Sequence, residues 1–159
     1  MPTSNAVLLP PNIQPASYAI HLTPDLVAFT FTGEESVAVE VLESTDTIVL
    51  NASELQVTEA SFTDASGAAT ATIGIAMDAD QETLTLTFPS ALSAGKGTLH
   101  IVFAGELNDR LTGFYRSEYT DSAGQSHTMA TTQFEPSSAR RSFPCWDEPA
   151  IKATFEISL

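Results

Sequence analysis

At 159 residues the chain has the length of one domain and enough material to bury a core. Its 20 acidic residues against 6 basic ones leave a formal net charge of −14, a field that repels phosphate and argues against nucleic acid and anionic membranes as partners. A single cysteine, Cys145, excludes an internal disulfide and fits a reducing compartment; no stretch is apolar for long enough to span a bilayer or begin a signal peptide, so the cytoplasm is the expected location.

Residues 1–15 read as an extended arm, because Pro10 and Pro11 rule out helix there. Tyr18, Ile20 and Leu22 then alternate with Ala19, His21 and Thr23 as a half-buried strand. After a turn at Pro24 and Asp25, the residues Phe29, Phe31, Val37, Val39 and Val41 keep one parity along a longer strand, in which Gly33 marks a bulge or a close approach. Ile48 and Leu50 lie on a short strand closed by Asn51 and Ala52, and Leu55, Val57 and Phe62 lie on another that ends in the turn Asp64-Ala65-Ser66-Gly67. Ile73, Ile75 and Met77 match Leu84, Leu86 and Phe88 across a polar connection, the pattern of a hairpin.

Residues 89–97 read as loop, and Leu99, Ile101 and Phe103 as the next strand. Residues 113–119 enter a second hairpin that turns near Ser122, Ala123 and Gly124 and returns through residues 127–130; Phe155 and Ile157 alternate with Thr154 and Glu156 in a last strand. About nine short strands, roughly ten residues apart and without a helical period, predict one all-β domain over residues 1–159, an antiparallel β-sandwich. The chain stops within its last strand with neither a turn signal nor a closing partner, so the sandwich is expected to be incomplete at its C-terminal end and the sequence to be a fragment.

The unusual chemistry is concentrated near that end. Residues 131–135 read as extended, because Thr and Phe favour strands and Pro136 keeps Glu135 out of the helical region. Alternation then offers Gln133 and Glu135 together on one face while Phe134 anchors on the other. An amide beside a carboxylate can receive a cation that carries donors, such as a peptide's α-ammonium group, with roughly 1.5–3 kcal/mol from a charge-assisted bond. The same pair also reads as an ordinary solvated strand face.

Beyond it, Phe143, Pro144, Cys145, Trp146 and Pro149 form an apolar knot, and Arg140 and Arg141 lie close in sequence to Asp147 and Glu148, so that Arg–carboxylate pairing braces the irregular loop. Cys145 has no histidine in its segment and reads as a small buried thiol. His21, His100 and His127 are far apart and none has a partner at zinc-ligand spacing, so no metal site is expected within the chain, and no catalytic residue is assigned.

The string TQFEPSSARRSFPCWDEPAIKATFEISL, residues 132–159, resembles the signature near the end of the N-terminal domain of the gluzincin zinc aminopeptidases, most closely the puromycin-sensitive branch. Upstream matches run in the right order: Leu9-Pro10 then Pro15 and Tyr18, Phe31 with Gly33, Ile48-Val49-Leu50-Asn51-Ala52 with Glu54-Leu55, and Gly105 with Leu107-Asn108-Asp109 before Gly113-Phe114-Tyr115-Arg116-Ser117. The resemblance implies a saddle-like sandwich that closes one wall of an active site, with Glu135 helping to hold the free ammonium of a peptide substrate and Gln133 lining the pocket for its first side chain. It implies zinc in the full-length enzyme, on a catalytic domain that carries HExxH and is absent from this sequence, so that the chain alone would not hydrolyse peptides. Ser137-Ser138 departs from the family's small residue followed by Asp. A stand-alone, non-catalytic sandwich that binds a partner, or a purely structural module, is the alternative from another class.

Overall fold

The computed structural model describes residues 8–159. Eleven strands are present among them: β1 (Ile13–Asp25), β2 (Thr30–Val41), β3 (Thr45–Asn51), β4 (Gln56–Asp64), β5 (Ala69–Ala71), β6 (Gly74–Asp78), β7 (Thr83–Leu92), β8 (Gly95–Glu106), β9 (Gly113–Thr120), β10 (Ser126–Gln133) and β11 (Thr154–Ser158). They form a six-stranded sheet in the order β11-β1-β2-β8-β4-β5, a three-stranded sheet β3-β7-β6, and the hairpin β9-β10. No helix among the described residues is long and apolar enough to cross a membrane.

Period-two alternation builds the interior. Tyr18, Ile20 and Leu22 of β1, Phe31, Val37 and Val39 of β2, and Leu99, Ile101 and Phe103 of β8 are all buried on one face of the large sheet. Ile48 and Leu50 of β3 with Leu84, Leu86 and Phe88 of β7 supply the facing layer, and Phe62 of β4 meets Phe88 edge-on at 6.4 Å between ring centres. Phe31 makes the same kind of contact with Phe114 of β9 at 5.1 Å, which ties the hairpin to the core. Each fully buried side chain of this size stabilises the fold by about 1.5–3 kcal/mol.

The close approach expected at Gly33 is present: a Cβ there would stand 2.5 Å from ring carbons of Phe103. Leu55 and Phe62, of opposite parity in sequence, both reach the core because a bulge between Val57 and Glu59 resets the alternation. Both predicted hairpins form, β6 on β7 with Ile75 opposite Leu86, and β9 on β10 with Ser126 opposite Thr120.

Several expectations are corrected. The arm predicted over residues 1–15 gives way to strand at Ile13, since β1 pairs with the far end of β2 through Ile13 and Val41; residues 1–7 lie outside the described residues. Phe29 belongs to the turn over residues 26–29 rather than to β2, at φ 57°, with the Asp25 carboxylate accepting from the N–H groups of Val27 and Ala28 at 2.8 and 2.9 Å. Most of residues 89–97 is strand, not loop. Pro89 is tolerated because the ladder to β3 jumps from Thr87 opposite Thr47 to Leu92 opposite Thr45, so its missing N–H falls in an irregularity.

The added strand, β5, is too short and alanine-rich to carry a pattern. The last strand does have a partner: β11 runs parallel to β1, with Phe155 beside Tyr18 and Ile157 beside Ile20, so the sheet is antiparallel everywhere except at this edge. The long irregular stretch between β10 and β11 provides the crossover that a parallel pair requires.

Candidate functional site

Gln133 is the last residue of β10 and pairs with Gly113. Glu135 lies beyond the strand end, in a turn closed by the Ser138 N–H donating to the Phe134 carbonyl at 2.7 Å, with a cis bond between Glu135 and Pro136. The extended reading of residues 131–135 therefore holds only to Gln133. Both polar side chains are exposed, whereas Phe134 is half-buried and meets Phe143 edge-on at 6.0 Å. The carboxylate of Glu135 enters none of the ion pairs among the described residues.

Phe134 stands between two hollows. One, of about 420 Å³, is lined by Glu135, Tyr18, Phe143, Trp146, Phe155 and Lys152 among others. Its aromatic wall is ordered: Tyr18 stacks on Phe155 at 4.7 Å with 9° between planes, and the backbone N–H of Trp146 donates to the Tyr18 hydroxyl at 3.2 Å. The other hollow, of about 310 Å³, is mainly apolar and includes Ile20, Leu22, Phe114, Ala130 and Ile157.

The residues read as bracing the loop are held as follows. Arg140 and Arg141 sit in a 3-10 turn, Ala139–Arg141. The Arg140 Nε donates to Asp147 Oδ2 at 2.9 Å, and both arginines reach Glu82, Arg141 at 2.6 Å and Arg140 at 3.3 Å. Arg141 Nη1 also lies 2.7 Å from Glu54 Oε1 without the alignment of a hydrogen bond. Glu148 departs from the expectation: it pairs with no arginine and instead accepts from the backbone N–H of Leu9 at 2.7 Å, holding the incoming N-terminal segment. Glu148 is left without an arginine because Arg140 is engaged by Asp147 and Glu82, and Arg141 by Glu54 and Glu82.

Trp146 is buried, and Cys145 is buried beside it in a bridge to Asn51, with its thiol pushed well above the usual range by burial. Ser138, where the sequence departs from the family pattern, is buried and accepts from the Thr112 hydroxyl at 2.8 Å. Arg110 forks onto Glu54, and these two hydrogen bonds lead in holding the Glu54 carboxyl below its usual range.

Glu54 and Glu82 are the site residues that sequence reasoning missed. They lie far from residues 140–147 along the chain; Glu54 falls in the upstream match with Leu55, the one signal available, and Glu82 sits in no motif.

The histidines do not fit a zinc ion. His21 bonds the Ser158 hydroxyl at 2.9 Å and His100 the Ser36 hydroxyl at 3.3 Å on the outer face of the large sheet, while His127 pairs with Asp121 at the tip of the second hairpin. Among the described residues no group of three or more His, Cys, Asp or Glu is placed to hold a metal.

The fold is a β-sandwich in which an arginine-braced turn carries an exposed carboxylate beside an aromatic-lined hollow. The chain belongs to the family described as the peptidase M1 N-terminal domain, whose model matches residues 14–159. It is 47% identical over 154 residues to Aminopeptidase M1 of Arabidopsis thaliana, covering 95% of this chain and 17% of that protein. It is 43% identical to Aminopeptidase 2 of Candida albicans over 153 residues, 96% of this chain and 16% of that protein. With the Puromycin-sensitive aminopeptidase of Caenorhabditis elegans it shares 38% identity over 151 residues, 95% of this chain and 16% of the relative. The chain thus spans about one sixth of the length of these relatives.

Proposed function

We propose that this chain forms the wall of a zinc-dependent aminopeptidase site that receives the front of a peptide, with Glu135 holding the free ammonium and Gln133 lining the pocket for the first side chain. The observation that carries the reading is the isolation of Glu135: the arginines are engaged with Glu54, Glu82, Asp109 and Asp147, and among the described residues the Glu135 carboxylate, on a tight turn, has no ion-pair partner. A carboxylate fixed at one end of a cleft sets the register of the peptide, so that only the bond after the first residue reaches the reacting centre. Zinc, when bound elsewhere in the full-length enzyme, supplies an activated water and polarises the scissile carbonyl. The residues of this chain bind and orient.

The test exchanges the matching segment of Arabidopsis Aminopeptidase M1 for this chain and measures hydrolysis of aminoacyl-arylamides. Glu135→Ala is expected to raise KM roughly ten- to a hundredfold, the loss of one charge-assisted bond. An unchanged KM and kcat would remove Glu135 from substrate binding.

A further inference from the structure

Arg141 bonds the end of the turn that carries Glu135 and packs on the strand partner of Gln133, and its side chain reaches two glutamates at positive φ. From Arg110 to Asp147 the side chains form a ladder of alternating charge, Arg110–Glu54–Arg141–Glu82–Arg140–Asp147. Glu82 is its central rung: its two carboxylate oxygens receive Arg141 at 2.6 Å and Arg140 at 3.3 Å, and the Ser53 hydroxyl donates to the first of them at 3.0 Å.

Backbone bonds fasten the same three segments, with the Ser53 N–H donating to the Arg140 carbonyl at 2.9 Å and the Ala52 N–H to the Glu82 carbonyl at 3.0 Å. Glu54 and Glu82 both lie in the left-handed region, at φ 58° and 52°. A residue with a Cβ adopts that conformation at a cost and keeps it where its surroundings determine it.

The ladder reaches the candidate site through Arg141. Its N–H donates to the Ser138 carbonyl at 3.2 Å, and Ser138 closes the Glu135 turn onto Phe134. Its Cβ also packs on Gly113, the partner of Gln133, where an added methyl group would stand 2.7 Å away and where φ is +70°. One guanidinium-bearing residue therefore touches the supports of both Gln133 and Glu135. Its guanidinium end donates to Glu82 at 2.6 Å.

We propose that Glu82, seconded by Glu54, is the positioning residue that sets where Glu135 meets the peptide ammonium; this rests on the reading of Glu135 as the ammonium anchor. Glu82 touches no substrate in this scheme. It lies in the turn that precedes β7 at the edge of the core with its side chain 29% exposed, so removing its charge loosens the Glu135 turn and leaves the sandwich intact.

A double-mutant cycle in the same exchanged enzyme separates this from a general structural effect. Glu82→Gln is expected to raise KM for aminoacyl-arylamides roughly fivefold with kcat within about twofold, and to add nothing once Glu135→Ala is present, because the two act through one interaction. If Glu82→Gln leaves KM unchanged, or multiplies it equally in both backgrounds, the positioning role is wrong while the anchor stands. If Glu135→Ala itself leaves KM unchanged, the anchor reading fails and this proposal with it. Circular dichroism and thermal unfolding of each exchanged enzyme report whether the variant folds. Should Glu82→Gln not fold, Arg141→Lys, which keeps the charge and loses the fork, takes its place in the cycle with the same expected outcomes.

Discussion

Glu35 lies in the middle of the large sheet's inner face, between Ile20 of β1 and Ile101 of β8, and is only 1% exposed. Among the described residues neither carboxyl oxygen has a hydrogen-bond partner. Replacing it with the unbranched, similarly sized Met removes an unpaired polar group and keeps the packing. A neutral carboxyl buried without a partner costs about 1–3 kcal/mol, so Glu35→Met is expected to stabilise the chain by that amount at acidic pH.

The gap then depends on pH. Burial raises the folded-state pKa well above the ordinary carboxyl value, so the folded chain keeps a proton that the unfolded chain has lost. The native state therefore binds more protons, and wild-type stability falls with rising pH from the unfolded pKa up to the folded one, at about 1.4 kcal/mol per pH unit. Urea unfolding of both chains from pH 4 to pH 8, followed by Trp146 emission, measures the difference directly. Comparison with the variant cancels the repulsion among the remaining acids. A stability difference that does not grow with pH, or a variant weaker than wild type throughout, would refute the reasoning.

Two further outcomes follow from the core. Gly33→Ala places a methyl group 2.5 Å from the Phe103 ring and 2.9 Å from Leu22, and is expected to destabilise by about 1–3 kcal/mol in the same urea titration; a gain in stability, the usual result of Gly→Ala at an open site, would contradict the close approach. Cys145 is 4% exposed with a thiol pushed up by burial, so a thiol reagent is expected to label it only as the chain unfolds, and rapid labelling in native buffer would show the loop to be open.

Much of the fold was legible because alternation is a local signal. Tyr18, Ile20 and Leu22, or Leu99, Ile101 and Phe103, declare a face within five residues, and all six are buried. Glu35 shows the limit: its parity matches Phe31 and Val37, yet its side-chain type hides its place on the inner face.

What stayed illegible depends on contacts distant in sequence. Nothing near Thr154 or Phe155 specifies parallel pairing with β1. Nothing near Glu54 or Glu82 announces a left-handed backbone, since neither is the glycine that usually marks one. Arg140 and Arg141 were visible as loop braces, but their partners are set by which acids the turns of β3-β4 and β6-β7 carry to them. Pro136 pointed to an extended Glu135, whereas the Ser138 bond to Phe134 folds that residue into a turn.

The central claim is that Glu135 grips an amino terminus, and paired inhibitors test it most directly. In the exchanged enzyme, inhibition constants are measured for an amino-acid analogue with a free α-amino group and for its des-amino counterpart, with and without Glu135→Ala. The substitution is expected to weaken the amino compound roughly ten- to a hundredfold and to leave the des-amino compound unchanged. Equal losses for both, or none for either, would contradict that claim.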